Sequence, residues 1–123
     1  MTTMRKTARI THDGQVKCET LAVPELKDNE VLVKVHCSLI SPGTEMNIVR
    51  ARRQTPAKPG EDIGFGYSSA GEIVAIKGEA KDLKIGMRVA GMGGGACHGS
   101  YNCIPVNLAV PIPDGVSYEE ATF

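Results

Sequence analysis

The sequence has no excess of charge of either sign, because 14 Lys and Arg residues balance 14 Asp and Glu residues over 123 residues. Nucleic-acid-binding proteins are typically basic, and disordered tails combine high net charge with few apolar residues. A neutral chain that is 41% hydrophobic fits neither class. It also lacks an apolar run near the roughly 18 residues that cross a bilayer. No apolar segment follows the first residues, so we expect a cytoplasmic protein without a signal peptide or membrane contact.

No C-x-x-C pair occurs among the four cysteines, which are Cys18, Cys37, Cys97 and Cys103. A structural zinc site needs four close ligands, and disulfide frameworks accompany secretion. We therefore expect reduced thiols and no tightly bound metal. A metalloprotein that uses Cys37, Cys97 and Cys103 is the alternative.

Charge is unevenly distributed along the chain. Residues 1–58 hold ten basic and six acidic side chains, whereas residues 59–123 hold four basic and eight acidic ones. Most of the basic excess comes from Arg50, Arg52, Arg53 and Lys58. We interpret this cluster as a solvated helix end and polar loop, and the alternative is a contact with an anion.

The chain is rich in short apolar segments punctuated by 14 glycines and 7 prolines. Alternation of apolar and polar residues indicates strands, and Asp13-Gly14 is a hairpin-type turn. The predicted strands cover residues 6–10, 16–20, 31–38, 67–76, 87–90, 101–106 and 108–112. Strands at this spacing predict a mainly β domain, either an antiparallel barrel or a sandwich.

Two short helices are indicated. Thr44 is the predicted N-cap of a helix that runs to about Arg52, with Glu45 in its first turn. Ser117 and Glu120 have the spacing of a capping box, which marks the start of a second helix. The sequence stops one or two turns later, and a lone helical turn is unstable in water. We therefore expect residues 1–123 to form one domain that is cut short where a further element begins.

The segment Gly91–Ala96 matches the G-x-G-x-x-G/A pattern of dinucleotide-binding turns. That pattern requires a helix directly afterwards, and the next residues, 97–102, have poor helix propensity. We therefore predict a glycine loop between two strands. His98 follows this loop, so it could line a cleft and act in proton transfer. His36, by contrast, is interpreted as an ordinary strand histidine.

Five segments, taken in order, match a known set of motifs. They are Asn29–Val35 (NEVLVKV), Ser41–Glu45 (SPGTE), Gly66–Ile73 (GYSSAGEI), Lys84–Val89 (KIGMRV) and Asn107–Phe123 (NLAVPIPDGVSYEEATF). Together they resemble the N-terminal half of the medium-chain dehydrogenase/reductase superfamily, which includes alcohol and sorbitol dehydrogenases. The resemblance implies a GroES-like, partly open β-barrel with one or two short helices, acting as the substrate-binding catalytic domain.

The same resemblance implies that a Rossmann domain follows, and that hydride transfer from NAD(P)H takes place in the cleft between the two domains. Residues 1–123 alone are then expected to be inactive and monomeric, although complete family members are usually homodimers. The joined protein is expected to be an oxidoreductase acting on a small-molecule carbonyl or related substrate. The alternative is a non-catalytic GroES-like binding module, such as a chaperonin-like cap.

The zinc-ligand positions of the family are not filled by zinc ligands in this sequence. The cysteine position falls on Ser41 or Pro42, and the His-Glu pair falls on Tyr67 and Ser68. The four-cysteine lobe of zinc-dependent members is missing too, since the glycine loop leads directly to "ACHGSY". The resemblance therefore implies the zinc-independent branch, which contains quinone-type and enoyl-type reductases.

Without zinc, other groups must polarise or protonate the substrate. The candidate hydrogen-bond donors are Thr44, Tyr67 and Ser68, and His98 is the candidate proton source. The resemblance places the hydroxyl of Thr44 near both substrate and cofactor, and places Tyr67 facing the cleft. These four residues are the predicted site.

Overall fold

Two antiparallel sheets carry the fold in the computed structural model, which describes residues 2–123. The three-stranded sheet has the order β2-β1-β4, with β1 at Met4–Ile10, β2 at Val16–Ala22 and β4 at Ile63–Gly64. The five-stranded sheet has the order β7-β3-β5-β6-β8. Its strands are β3 (Glu30–Ser38), β5 (Ser68–Lys77), β6 (Arg88–Met92), β7 (Tyr101–Pro105) and β8 (Ala109–Pro111).

Helix α1 spans Pro42–Gln54, helix α2 spans Tyr118–Ala121, and a 3-10 turn covers Val106–Leu108. This arrangement confirms the mainly β, partly open fold with short helices that was predicted from the sequence. Over the described residues the strands remain in two sheets and do not close into one barrel. None of the helices within residues 2–123 has the length and hydrophobicity to span a membrane.

Strand β3 is an interior strand of the larger sheet, between β5 and β7. Its Val31 and Val33 are almost completely buried, and they belong to one apolar cluster with Ile73, Val89 and Ile104. Burial of such aliphatic side chains contributes roughly 1.5–3 kcal/mol each. The alternation of apolar and polar residues in the sequence therefore correctly predicts which face of β3 packs into the core, as far as Val33.

The β1–β2 hairpin closes at the predicted Asp13-Gly14 turn and rests on α1. Gly14 has φ +84°, and a Cβ at this position would lie 2.6 Å from Cγ of Arg53 and 2.8 Å from the carbonyl oxygen of Val49. Nε of Arg53 donates a hydrogen bond to the carbonyl of Gly14 at 3.0 Å. A side chain at position 14 would push the hairpin away from the helix, so this turn needs glycine.

Helix α1 begins earlier than predicted. Ser41, not Thr44, is the N-cap, and Pro42 occupies the first turn. Proline suits that position because its fixed φ is helical and the N–H it lacks would have no partner there. The side chain of Ser41 makes no cap, and instead a carboxylate oxygen of Glu45 accepts from the Ser41 N–H at 3.2 Å. The prediction was wrong because Pro42-Gly43 was interpreted as a turn before the helix.

Helix α2 shows the predicted capping box. Ser117 Oγ accepts from the Glu120 N–H at 3.0 Å, and Glu120 Oε1 accepts from the Ser117 N–H at 3.2 Å. Tyr118 stacks on His36 with the ring centroids 4.4 Å apart, and the guanidinium of Arg88 lies 4.6 Å from the Tyr118 ring centroid. These contacts hold the single helical turn against the larger sheet, which compensates for its low intrinsic stability.

Candidate functional site

The predicted glycine loop begins later than expected: Gly91 and Met92 end strand β6, and the loop from Gly93 leads into β7 rather than into a helix. Its glycines allow close packing. A Cβ at Gly95 would lie 2.5 Å from the carbonyl oxygen of Cys103, and a Cβ at Gly91 would collide with Cδ1 of Ile104. The segment therefore lacks the strand–turn–helix context of a dinucleotide-binding turn.

The backbone of His98 is hydrogen-bonded to strand β1 of the smaller sheet and to the segment that follows β4. Its carbonyl accepts from the Ala8 N–H at 2.8 Å, and its N–H donates to the carbonyl of Phe65 at 2.9 Å. The Phe65 ring meets the imidazole edge-on with the centroids 5.0 Å apart. Gly66 has φ +101°, and a Cβ there would approach the imidazole to 2.8 Å. Position 66 therefore has to be a glycine for the ring to lie where it does.

The imidazole of His98 uses both of its nitrogens. Nδ1 lies 2.7 Å from Oγ of Ser38, at the end of β3, and Nε2 lies 2.8 Å from Oε1 of Glu45, in the first turns of α1. The His98 side chain is 10% exposed and that of Glu45 is 6% exposed. An ionised carboxylate only accepts hydrogen bonds, so opposite an ionised Glu45 the ring would carry a proton on Nε2. Nδ1 then accepts from Ser38 when the ring is neutral, and donates to Ser38 when the ring is an imidazolium.

These three side chains open onto a groove of about 460 Å³ between α1 and the smaller sheet. Ser38, Glu45 and His98 are its polar lining residues. The apolar lining residues are Ala8, Val16, Ile40, Pro42, Met46, Val49 and Phe65. A mostly apolar concavity with a few converging polar groups is the usual form of a small-molecule site.

The other three predicted site residues lie outside this groove. Thr44 is exposed in the first turn of α1, and Tyr67 is 41% exposed just before β5. Ser68 donates to the carbonyl of Thr122 at 2.6 Å, and it lines a separate hollow of about 200 Å³ beside α2. The structure thus places His98 alone of the four in the groove. The roles assigned to these residues from the sequence stay predictions.

The positions that hold zinc in zinc-dependent relatives do not fit the metal here. They fall on Ser41 or Pro42 and on Tyr67 and Ser68, so the donor set lacks the thiolate, imidazole and carboxylate that zinc prefers. The Ser68 hydroxyl already donates its proton to a backbone carbonyl. Elsewhere in residues 2–123 there is no cluster of three or more His, Cys, Asp or Glu residues that could hold a metal ion.

All four cysteines are free thiols in the described chain. Burial raises the pKa of Cys37 and of Cys103 above the ordinary thiol value. Cys97 is buried, and its Sγ donates to Oδ1 of Asn102 at 3.2 Å. A raised pKa keeps these two thiols protonated and lowers their reactivity near neutral pH.

Sequence reasoning identified His98 but missed its partners, Ser38 and Glu45. Glu45 could have been found, because Glu45 and Val49 are four residues apart and are the two buried residues of α1. A charged residue on the buried stripe of a helix calls for a partner. The sequence around Ser38 contains no comparable indication that its side chain has a buried partner. A register shift between Val35 and Cys37 interrupts the strand alternation, so the face of Ser38 could not be read.

Comparison with known proteins agrees with this architecture. The family model described as "Alcohol dehydrogenase GroES-like domain" matches residues 27–117. Sorbitol dehydrogenase of Bacillus subtilis is 31% identical, with the match covering 94% of this chain and 40% of that protein. Trans-enoyl reductase opdC of Penicillium oxalicum is also 31% identical, over 97% of this chain and 34% of that protein. The chain thus spans well under half the length of these curated relatives.

Solved structures share the same fold. The quinone oxidoreductase of Coxiella burnetii superposes with a TM-score of 0.79 at 21% identity, covering 98% of this chain and 40% of that chain. A mycobacterial protein in complex with NADPH gives a TM-score of 0.76 at 19% identity, covering 96% and 35% of the two chains. At these identities the two structures establish the fold and nothing finer.

Proposed function

Because this chain belongs to the alcohol dehydrogenase GroES-like domain family, we propose that it is the substrate-binding half of a zinc-independent, NAD(P)(H)-dependent oxidoreductase of the medium-chain dehydrogenase/reductase superfamily. It works in the cytoplasm together with a nucleotide-binding Rossmann domain, and it is inactive and monomeric without that domain. The reaction is reduction of a small-molecule carbonyl, quinone or enoyl compound.

The observation that carries this proposal is the groove beside His98. Seven of its ten lining residues are apolar, and two of the three polar ones, Ser38 and Glu45, are each hydrogen-bonded to the third, His98. An apolar substrate body fits such a surface, and its single polar group would meet the polar end. The names of the relatives agree with redox chemistry on small molecules, since they include a sorbitol dehydrogenase, a trans-enoyl reductase and a quinone oxidoreductase.

The zinc-independent part of the proposal is supported by the poor fit of Ser41, Pro42, Tyr67 and Ser68 to a metal. In place of a Lewis acid, the hydroxyls of Thr44, Tyr67 and Ser68, which lie outside the groove, hydrogen-bond the part of the substrate that extends beyond it, with Ser68 as an acceptor, and His98 is the source of the proton. When NAD(P)H is bound, it supplies a hydride to the substrate carbon. This chain's own contribution to the cofactor is the hydroxyl of Thr44, and the Rossmann domain supplies the remaining contacts.

The test uses the complete protein, with the nucleotide-binding domain attached. We expect oxidation of NADH or NADPH in the presence of trans-2-hexenal or 1,4-benzoquinone, with far less than one zinc per chain by elemental analysis. Stoichiometric zinc would contradict the zinc-independent assignment. Seven-fold rings in solution, with no nucleotide oxidation for any probe, would instead favour the non-catalytic binding module.

A single substitution tests the role of Tyr67. Loss of a hydroxyl that hydrogen-bonds the transition state should lower kcat by roughly 10²–10⁴-fold in Tyr67→Phe. Tyr101→Phe, in strand β7, is the matched control and should keep wild-type turnover. A loss below about threefold in Tyr67→Phe would remove Tyr67 from the site.

A further inference from the structure

The hydrogen bonds around His98 limit what this residue can do. Both ring nitrogens already have partners within 2.8 Å, namely Ser38 on one side and Glu45 on the other. The side chain is only 10% exposed. A substrate therefore cannot take a proton from His98 directly unless one of the two hydrogen bonds is broken.

Of the two partners, Ser38 is the one suited to meet a substrate. Both carboxylate oxygens of Glu45 are engaged, Oε1 with His98 and Oε2 with the Ser41 N–H, and the side chain is 6% exposed. Ser38 is half-buried, lines the groove, and has a hydroxyl that can accept one hydrogen bond while donating another. His98 itself borders the groove, but both its nitrogens are already hydrogen-bonded, so the Ser38 hydroxyl is the group that can pass a proton to a bound substrate.

We propose that Ser38 is the catalytic residue that delivers the proton to the substrate, with His98 behind it as relay and Glu45 as the positioning residue. This inference rests on the proposed function, because the proton is needed only after a hydride has reached the substrate carbon. The Ser38 hydroxyl, not the imidazole, then touches the reacting oxygen.

The proton transfer involves three atoms, which are the substrate oxygen, Ser38 Oγ and His98 Nδ1. In the reduction of a carbonyl group, addition of a hydride to the carbonyl carbon would leave negative charge on the substrate oxygen. The O–H bond of Ser38 breaks as the new O–H bond of the product forms, and Ser38 Oγ takes the proton from Nδ1 of the His98 imidazolium. The ring becomes neutral and keeps its proton on Nε2, in the hydrogen bond to Glu45. Solvent restores the proton on Nδ1 after the product leaves.

The side chains around the His98 imidazole favour these separate roles for Ser38, His98 and Glu45. The side chains that face the imidazole are Glu45 from α1, Ser38 from β3 and Phe65 from the segment before β5, and Glu45 is the only charged one among them. Glu45 selects the tautomer with the proton on Nε2, which leaves Nδ1 directed at Ser38. The same ordering of acid, imidazole and hydroxyl is used to move protons in hydrolases, although here no covalent step is involved.

Kinetics of the complete enzyme test the proposal. With trans-2-hexenal and NADPH, and with formation of the alcohol trans-2-hexen-1-ol as the readout, Ser38→Ala should lower kcat by about 10²-fold or more and leave KM within about threefold, because the hydroxyl acts in the transition state. Ser38→Thr keeps the hydroxyl and should restore most of the rate. Ser100→Ala is the matched control, since Ser100 is half-buried on the neighbouring segment and outside the groove.

Glu45 is tested by its effect on rate and on the imidazole. Glu45→Gln should lower kcat by about tenfold with little change in KM, because the neutral amide holds the ring without selecting its tautomer. In ¹⁵N spectra of this chain, the imidazole signals that are lost in His98→Gln should show a proton on Nε2 in the wild type and in Ser38→Ala. A wild-type ring with a bare Nε2 near neutral pH would overturn the proposal.

The kinetic outcomes separate this inference from the proposed function. If the wild type shows no turnover with any probe, the proposed function fails. If the wild type turns over and Ser38→Ala matches it, the proposed function stands and the role of Ser38 is refuted. A loss in Ser38→Ala that Ser38→Thr restores supports the relay.

Discussion

Two buried polar side chains stand four residues apart on the same segment, and their surroundings differ. Asn102 is completely buried, its Nδ2 donates to the carbonyl of Cys97 at 2.9 Å and to Ser69 Oγ at 3.3 Å, and its Oδ1 accepts from the Cys97 thiol. His98 is just as fully hydrogen-bonded, yet its partners line an open groove.

This difference distinguishes a polar cluster that supports the structure, around Asn102, from a candidate functional cluster, around His98. The Asn102 cluster joins the loop, β5 and β7 inside the core, where every polar atom needs a partner to offset its desolvation. The His98 cluster is also fully hydrogen-bonded, but its three side chains line a groove that a small molecule can enter. A polar group that is fully paired and also borders an apolar cavity is therefore the better candidate for chemistry.

We expect the largest loss of stability when the Asn102 cluster is disrupted. Asn102→Leu has similar volume but removes the hydrogen-bond partner of the Ser69 hydroxyl and the acceptor of the Cys97 thiol, and leaves the Cys97 carbonyl with only the Gly99 N–H. We expect the free energy of unfolding to fall by about 3 kcal/mol, as measured by urea denaturation. Asn47→Leu, on the exposed side of α1, is the control and should change stability by less than about 0.5 kcal/mol. Equal effects in the two variants would contradict the structural role of Asn102.

A pair of glycine substitutions measures how firmly the His98 ring is held. Gly66 and Gly60 both have positive φ, at +101° and +91°, but only at Gly66 would a Cβ meet another atom, the imidazole at 2.8 Å. Both changes to alanine introduce backbone strain of about 1 kcal/mol. Gly66→Ala should therefore cost more than Gly60→Ala by urea denaturation, and should also move the His98 imidazole signals. Identical costs with unmoved signals would show that the ring is not confined there.

The smallest expected effect concerns the exposed ion pair of Lys17 and Asp62, which acid should weaken, rather than either buried cluster. A hydrogen bond from Lys17 lowers the pKa of Asp62 below its ordinary value of 3.8. A lowered folded-state pKa stabilises the protein above the unfolded value, and this stabilisation is lost as pH falls through the folded value. The stability difference between wild type and Lys17→Met should therefore shrink below about pH 4 in urea titrations. A difference that is constant from pH 6 to pH 2 would contradict the ion pair.

The sequence allowed the mainly β fold to be predicted, because glycine and proline mark its turns and β3 alternates clearly over Val31 and Val33. The capping box at Ser117 and Glu120 was equally readable, since it depends on local spacing. Strand β4, at Ile63–Gly64, escaped notice because two residues are too few to show a period. The start of α1 was misplaced because Pro42 suits a helix's first turn as well as a loop.

The candidate site was less accessible to prediction than the fold. His98 was singled out because it follows a glycine loop, which is a local signal. Its two partners lie 60 and 53 residues away along the chain. Their meeting depends on a register shift in β3 and on how α1 packs against the smaller sheet, and neither can be derived from local patterns.

The most direct test of the account compares Ser38→Ala with Asn102→Leu in the same complete enzyme, recording kcat per folded molecule and the urea midpoint for each. We expect Ser38→Ala to lose about 10²-fold in kcat while its midpoint stays near the wild-type value. Asn102→Leu should show the reverse, with a lowered midpoint and nearly unchanged kcat in the folded fraction. If the two variants lose activity only in proportion to their loss of stability, the groove is a structural feature and the distinction between the two clusters is wrong.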